Sequence, residues 1–378
     1  MASLFTCFRF IKPRRRKQQY LERVAAISTA PAPAPHPHID DDFEEGCGGG
    51  NRQGTCIIRF TWDEMQRYTS NFSSVIGSGG FSNVYLAQFR DSTLGAIKIH
   101  SSCSERLNRV YKQELEILLR LRHDNIVKLL GYCDDTEEGV LVFEYVPNGN
   151  LQERLASVGG LSWKSRMRIA FQLAQALEYL HDKCPLQIVH GDIKASNILL
   201  DQQLNCKLCD FGSAKMGFSS TVLPPSSSSS DDPRRRRRMM LLGSPGYTDP
   251  HYLRTGIPSK KNDVYSFGVI VLELITGREA LCSRTGERLT SVAGPILKDA
   301  SKASQMLDAR LLQQQEEYKF NGEFDYLLEQ VKAMASISAM CLSDTPSLRP
   351  SASDIVNAMM TKVPSSLSFS FSTSDQKF

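Results

Sequence analysis

The chain has 378 residues, 41% of them hydrophobic, with a formal net charge of +4. That is enough chain for two or three domains and enough apolar content for a real core, and the near-balanced charge excludes a global polyanion-binding field. Ten cysteines without disulfide-like spacing point to a reducing compartment, no stretch approaches the ~20 apolar residues of a membrane span, and the N-terminus lacks the apolar run of a secretory signal.

Residues 1–57 do not read as a folded domain. Basic residues crowd Arg9–Arg23, Pro alternates with Ala and His over Pro31–His38, and an acidic run and a glycine run follow at Asp40–Glu45 and Gly48–Gly50. Such composition buries too little apolar surface to order itself. Two readings are open: a solvated tail, or a membrane-surface anchor. The second would join an acyl chain on Cys7 and the apolar Phe5, Phe8, Phe10 and Ile11 to the basic run. Ala2 excludes N-myristoylation.

Ordered structure is expected from Phe60, with Thr61 capping a helix and Glu64 three residues on. Ile76-Gly77-Ser78-Gly79-Gly80-Phe81-Ser82-Asn83-Val84 is a glycine-rich turn between β-formers, hence a hairpin and not the strand–helix turn of a dinucleotide fold. Its glycines would let backbone N–H groups approach phosphates. In Ala96-Ile97-Lys98-Ile99, strand alternation puts the two isoleucines on one face and Lys98 on the other.

Ser104–Arg122 has helical periodicity, with Leu107, Val110, Tyr111, Leu118 and Leu121 in one stripe. Glu114 falls inside that stripe. A carboxylate there needs a cation, and Lys98 is the natural candidate, with a surface role for Glu114 the alternative. Strands are expected at Ile126–Leu130 and Val140–Tyr145, and Pro147–Asn150 is a turn. A helix over Trp163–His181 leads to the most informative stretch.

From Val189 to Gly212 run His190-Gly-Asp192-Ile-Lys194-Ala-Ser-Asn197 and Cys209-Asp210-Phe-Gly. Two short apolar runs, Ile198–Leu200 and Lys207–Cys209, joined at Asp201–Asn205, predict a hairpin that gathers Asp192, Asn197 and Asp210 at one end. A proton-accepting carboxylate beside an Asn and an Asp able to hold a divalent metal is equipment for phosphoryl transfer. Cys206 and Cys209 form a C-x-x-C, but without a second pair they read as core, not zinc or redox. Further on, Ser226–Ser230 and Arg234–Arg238 read as a solvated insertion or as a docking segment in which phosphoserines pair with arginines. As nucleic-acid contact the arginine run is thin support, and none is expected. Asn262–Gly277 is an almost wholly apolar helix, and therefore central.

These phrases resemble the catalytic loop and Asp-Phe-Gly motif of protein kinases. Phe60-Thr-Trp-Asp-Glu, Leu129-Leu-Gly-Tyr-Cys133 and Asp263-Val-Tyr-Ser-Phe-Gly268 are similar to plant receptor-like kinases, and the absence of a membrane span points to their receptor-like cytoplasmic group. The resemblance covers residues 60–362. It implies an α+β, bilobal kinase fold: a small β-rich N-lobe (58–143) and a mainly helical C-lobe (144–362). Composition reads 216–242 as a disordered activation-loop insertion and 363–378 as a disordered Ser-rich tail. The resemblance implies a serine/threonine kinase using ATP and Mg2+ on protein substrates, cytoplasmic or peripheral at the plasma membrane, and linked to a membrane receptor kinase.

By the same resemblance, Ile76 to Val84 and Lys98 hold the nucleotide phosphates and Lys98 pairs with Glu114. Phe143 backs the pocket, and Glu144 and Val146 offer backbone groups to adenine. Asp192 accepts or orients the substrate proton, Lys194 stabilises the transferred phosphoryl, and Asn197 and Asp210 bind metal. Asp263 holds the catalytic-loop backbone, and Gly243–Pro250 ends the activation segment. Three residues depart from the family pattern. Ser82 stands for the loop's third glycine. Gly191 stands for the Arg that meets a phosphorylated loop in other kinases, the "non-RD" condition. His251 stands for a Glu that pairs with the match of Arg349, which predicts a loosened substrate shelf. The first and third departures keep open a pseudokinase, an ATP-binding scaffold without catalysis.

Overall fold

The computed structural model describes residues 57–79, 82–100, 105–135, 138–217, 243–313 and 323–363. The N-terminal segment with Cys7, Gly80 and Phe81 of the glycine-rich turn, the serine and arginine runs, and the C-terminal tail lie outside the described residues.

The N-terminal half of the described chain is built on one sheet. Its strands are β1 (Ile58–Arg59), β2 (Val75–Ser78), β3 (Ser82–Gln88), β4 (Leu94–His100), β5 (Leu129–Cys133) and β6 (Val140–Glu144), in spatial order β1-β5-β6-β4-β3-β2. Pairing is antiparallel except for β1, which lies parallel to β5 with Ile58 opposite Gly131. Only a glycine fits there: a Cβ on Gly131 would collide with the Ile58 carbonyl and the Phe60 ring. The short helix α1 (Trp62–Tyr68) follows, started by a reciprocal capping box between Thr61 and Glu64, as the sequence predicts. Phe60 stacks on Phe89 with centroids 6.1 Å apart, sealing the outer face over Met65, Ile97 and Val142. Ile97 and Ile99 pack on this side, which turns Lys98 to the other face.

Helix α2 (Glu105–Leu118) crosses that other face. Its end falls short of the expected Arg122 because Arg120 and Leu121 donate to the carbonyls three residues back, tightening the last turn. The strand expected at Ile126–Leu130 is displaced to Leu129–Cys133. Ile126 instead makes an isolated parallel bridge to Leu208, so its apolar run serves the other half of the molecule.

The C-terminal half is helical: α3 (Leu151–Ala156), α4 (Trp163–Glu178), α5 (Pro250–Thr255), α6 (Lys260–Thr276), α7 (Leu289–Leu297), α8 (Ala309–Gln313), α9 (Glu323–Cys341) and α10 (Ala352–Lys362). Helix α6 is buried on every side from Asp263 to Thr276 and forms the axis against which α4 and α9 pack. Short strands β7 (Ile188–Val189), β8 (Ile198–Leu200), β9 (Cys206–Leu208) and β10 (Lys215–Met216) form two small ladders, β8 with β9 and β7 with β10. Strand β9 begins and ends one residue earlier than expected, so Cys209 lies beyond it. Cys206 is core, and among the described residues no cluster of His, Cys, Asp and Glu has metal-site geometry.

Candidate active site

The β8–β9 hairpin presents the site. Its turn is tied by Asp201, whose Oδ1 accepts from the backbone N–H groups of Gln203 and Asn205. Register places Ile198 opposite Leu208, and Cys209 N–H donates to the Asn197 carbonyl at 2.9 Å. Asn197 and Asp210 are thereby brought to the same end, as the spacing predicts. The Asn197 amide donates to the Asp192 carbonyl at 2.9 Å and to its Oδ2 at 3.2 Å, which leaves its own side-chain oxygen as a free acceptor. Asp210 has φ +63°, a left-handed conformation that aims its carboxylate back toward the sheet.

Lys98 meets that carboxylate. Its Nζ donates to Asp210 Oδ1 and to Glu114 Oε1, both at 2.8 Å. Glu114 is 1% exposed, so its charge is sustained only by what surrounds it. Burial works against charge at Lys98 and Glu114, and the pairing outweighs it. Lys98 is held above the ordinary lysine range by Glu114 and Asp210. Glu114 is held low by Lys98, and Asp210 is held at about 2 by the same ammonium. All three are ionised at neutral pH. Glu114 has no surface role.

Asp192 sits in a second cluster. Lys194 Nζ lies 2.7 Å from its Oδ2, and the Ser244 hydroxyl donates to its Oδ1 at 2.7 Å while accepting from Lys194 at 3.1 Å. Ser244 is a residue that sequence reasoning missed; it follows Gly243 in the Gly-Ser-Pro phrase and is brought in from 52 positions away. The loop carrying Asp192 is anchored from below: the buried Asp263 carboxylate accepts from His190 N–H, Gly191 N–H and His181 Nε2 at 2.8–2.9 Å. Gly191 has φ +79°, and a Cβ there would lie 3.0 Å from the Ser213 carbonyl.

The described part of the glycine-rich turn forms the expected hairpin between β2 and β3. Gly77 pairs with Val84 and Ser78 with Asn83, and Gly79 N–H donates to the Ser82 carbonyl at 2.8 Å. Ile76 is exposed, and Ser82 stands opposite His100 on the neighbouring strand. At the junction of sheet and helices, Glu144 N–H donates to the Lys128 carbonyl, and its carboxylate accepts from Lys207 Nζ at 2.8 Å and Lys128 N–H at 3.0 Å. Val146 is buried two residues on.

One expectation is overturned. The absence of a Glu at position 251 does not leave Arg349 without a carboxylate. Asp249, two positions upstream, takes the guanidinium in a bidentate pair at 2.6 and 2.9 Å, with side chains 0% and 1% exposed. Arg349 also donates to the carbonyls of Ser343 and Lys261 and lies over the Tyr265 ring. The Asp249 carboxylate simultaneously caps α5 by accepting from His251 N–H. The shelf is pinned a second time by the Tyr247 hydroxyl, which donates to the buried Glu273 of α6. Burial pushes that glutamate up to about 8.

Known proteins match this sequence. A protein kinase domain model matches residues 70–360. A probable receptor-like protein kinase of Arabidopsis thaliana is 51% identical over 330 residues, 84% of this chain and 92% of that one. The salt tolerance receptor-like cytoplasmic kinase 1 of Oryza sativa subsp. japonica is 49% identical over 344 residues, 87% and 89% of the two chains. A probable serine/threonine-protein kinase of Arabidopsis thaliana is 39% identical over 310 residues, 79% and 76%. No helix among the described residues is long and apolar enough to cross a membrane. With two lobes, an ammonium shared between Glu114 and Asp210, and relatives of this closeness, the chain belongs to the protein kinase family, among the serine/threonine receptor-like kinases of plants.

Proposed function

We propose that this kinase transfers the γ-phosphoryl group of Mg·ATP to protein serine and threonine hydroxyls through Asp192, Lys194, Lys98, Glu114, Asn197 and Asp210. The observation that carries the reading is Lys98 Nζ at 2.8 Å from two carboxylates while Asn197 ties Asp192 to the same hairpin end. One cleft then holds a base, a phosphate-directed cation and metal-binding oxygens.

Each group has a task in its own surroundings. Asp192, braced by Lys194 and Ser244, accepts or orients the proton of the attacking hydroxyl. Lys194 balances charge on the phosphoryl in flight. The donor set suits a hard divalent cation, since the Asp210 carboxylate and the free Asn197 oxygen are oxygen ligands. Bound Mg2+ supplies neutralisation of the charge on the phosphate oxygens. Lys98, oriented by Glu114, holds the phosphates from the sheet side, and Ile76, Gly77, Ser78, Gly79, Gly80, Phe81, Ser82, Asn83 and Val84 cover them. Adenine takes its contacts from backbone at Glu144 and Val146. Because Glu144 N–H is committed to Lys128, that residue's share falls to its carbonyl. We further propose a membrane receptor kinase as upstream partner, with peripheral contact at the plasma membrane through Cys7 and the basic run.

The test is incorporation of labelled phosphate from Mg·ATP by the full chain beside Asp192→Asn. Activity in the wild type that falls by about 10²-fold or more in the variant supports the assignment. Equal incorporation by both, or none by the wild type, returns the chain to the scaffold reading.

A further inference from the structure

We propose that His100 is a third member of the clasp on Glu114, a positioning residue for phosphoryl transfer; the inference rests on the kinase reading of the cleft. Lys98 and His100 are two apart on β4, so their side chains leave the same face of the sheet, the face that meets α2. Lys98 takes one oxygen of Glu114. The other, Oε2, is fully buried and has no aligned hydrogen bond among the described residues, and the same is true of His100 Nε2. These two orphaned atoms lie 3.3 Å apart.

A bare buried carboxylate oxygen beside a bare imidazole nitrogen is an unfavourable arrangement that a single proton resolves. Nε2 is a donor in the imidazolium and in the neutral tautomer that carries its proton there. The surroundings leave little room for another solution. The His100 ring rests against Tyr111 of α2 with centroids 5.5 Å apart, and its backbone N–H is fixed to the Gly139 carbonyl at 2.9 Å. Gly212, beside Oε2, carries no side chain to offer it a hydrogen bond.

The consequence lies in how Lys98 is shared. Its ammonium serves Glu114 and Asp210 at equal distance. When it turns to the phosphates, its hold on Glu114 is divided further. A donor from His100 keeps the Glu114 carboxylate, and with it α2, in place independently of Lys98. The sheet thus grips the helix by two side chains of one strand.

The test uses the full chain in three forms: wild type, His100→Phe, which keeps a ring and removes the donor, and His100→Gln, which keeps a donor near the position of Nε2. Melting temperature, kcat and KM for Mg·ATP are measured for each. The expected result is about a tenfold loss of kcat in His100→Phe, with His100→Gln within about threefold of wild type and both variants folded. Wild-type kcat in His100→Phe, or equal loss in both variants, overturns the proposal. Should His100→Phe fail to fold, nitrogen NMR of the ring in the wild-type protein decides. Protonated Nε2, perturbed by Glu114→Gln, supports the clasp, and unprotonated Nε2 refutes it. A wild type no more active than Asp192→Asn would sink the kinase assignment instead, while the NMR measurement still reads the His100–Glu114 contact.

Discussion

The pair between Arg349 and Asp249 shows how a single side chain corrects a motif. Judged by spacing, His251 removes the carboxylate that Arg349 needs. In the folded chain the carboxylate comes from Asp249, the N-cap of the helix that carries His251, and both partners are dry. Removing one member of a buried pair strands the other charge and typically costs about 3–5 kcal/mol. Asp249→Ala is therefore expected to destabilise by that order in urea unfolding and to lower kcat, whereas His251→Ala changes stability by less than about 1 kcal/mol. Comparable losses in both would show that His251 shares the role. Gly191 is the second such residue. At φ +79° any side chain is strained, so Gly191→Ala should cost about 1–2 kcal/mol. With no Arg there to meet a phosphate, alanine at Ser219–Thr221 and Ser226–Ser230 is expected to leave kinase activity in place, and its abolition would refute that independence.

Among elements, the helices of the C-terminal half are locked together at one buried carboxylate. Asp308 accepts from Arg166 at 2.6 Å and from Arg310 at 2.7 Å. Arg166, 0% exposed, also donates to the carbonyls of Leu161 and Leu274, and Arg310 to those of Leu155 and Ser157. Helices α3, α4, α6 and the start of α8 therefore share one polar knot. Burial would raise Asp308, but the hydrogen bonds from Arg310 and Arg166 outweigh it and hold the carboxyl at about 2. A depressed carboxylate stabilises the fold at pH above its unfolded value of about 3.9, and that contribution is lost as pH falls toward 2. The stability gap between wild type and Asp308→Asn should accordingly be constant above about pH 5 and shrink toward pH 2 in chemical denaturation. A gap that widens on acidification would contradict the assignment.

Sequence patterns carried much of this and stopped at identifiable places. The capping box at Thr61, the alternation around Lys98, the Glu114 position and the β8–β9 hairpin were legible because each is a local rule of spacing. The parallel strand β1 was not, because two residues carry no periodicity, and its seat depends on a glycine 73 positions away. Ile126 misled because an apolar run says that a residue is buried, not against what. Ser244, Asp249 and the Arg166–Asp308 pair were invisible because their partners lie 52 to 142 positions distant.

For the molecule as a whole, the proposed active site draws on both lobes: Lys98 and Glu114 from the sheet and its helix, Asp192 and Asn197 from the loop before β8, and Asp210 from just after β9. Ligand binding should therefore stabilise the whole fold. Saturation with Mg·ATP at about 100 times Kd is expected to add about 2.7 kcal/mol. Chelating the metal, or replacing Asp210 by Asn, is expected to remove the metal-dependent part of that thermal shift while the protein stays folded. An undiminished shift in Asp210→Asn would separate Asp210 from metal binding.

The doubled duty of Asp249, as helix cap and as ion-pair partner, has a bearing on how catalytic competence is inferred from letters. A survey that scores the third letter of the Asp-Pro-His tripeptide would file this chain with the defective. The carboxylate that meets Arg349 stands two places upstream of that letter, and a reader who scores where charge sits in space would place the chain with the competent.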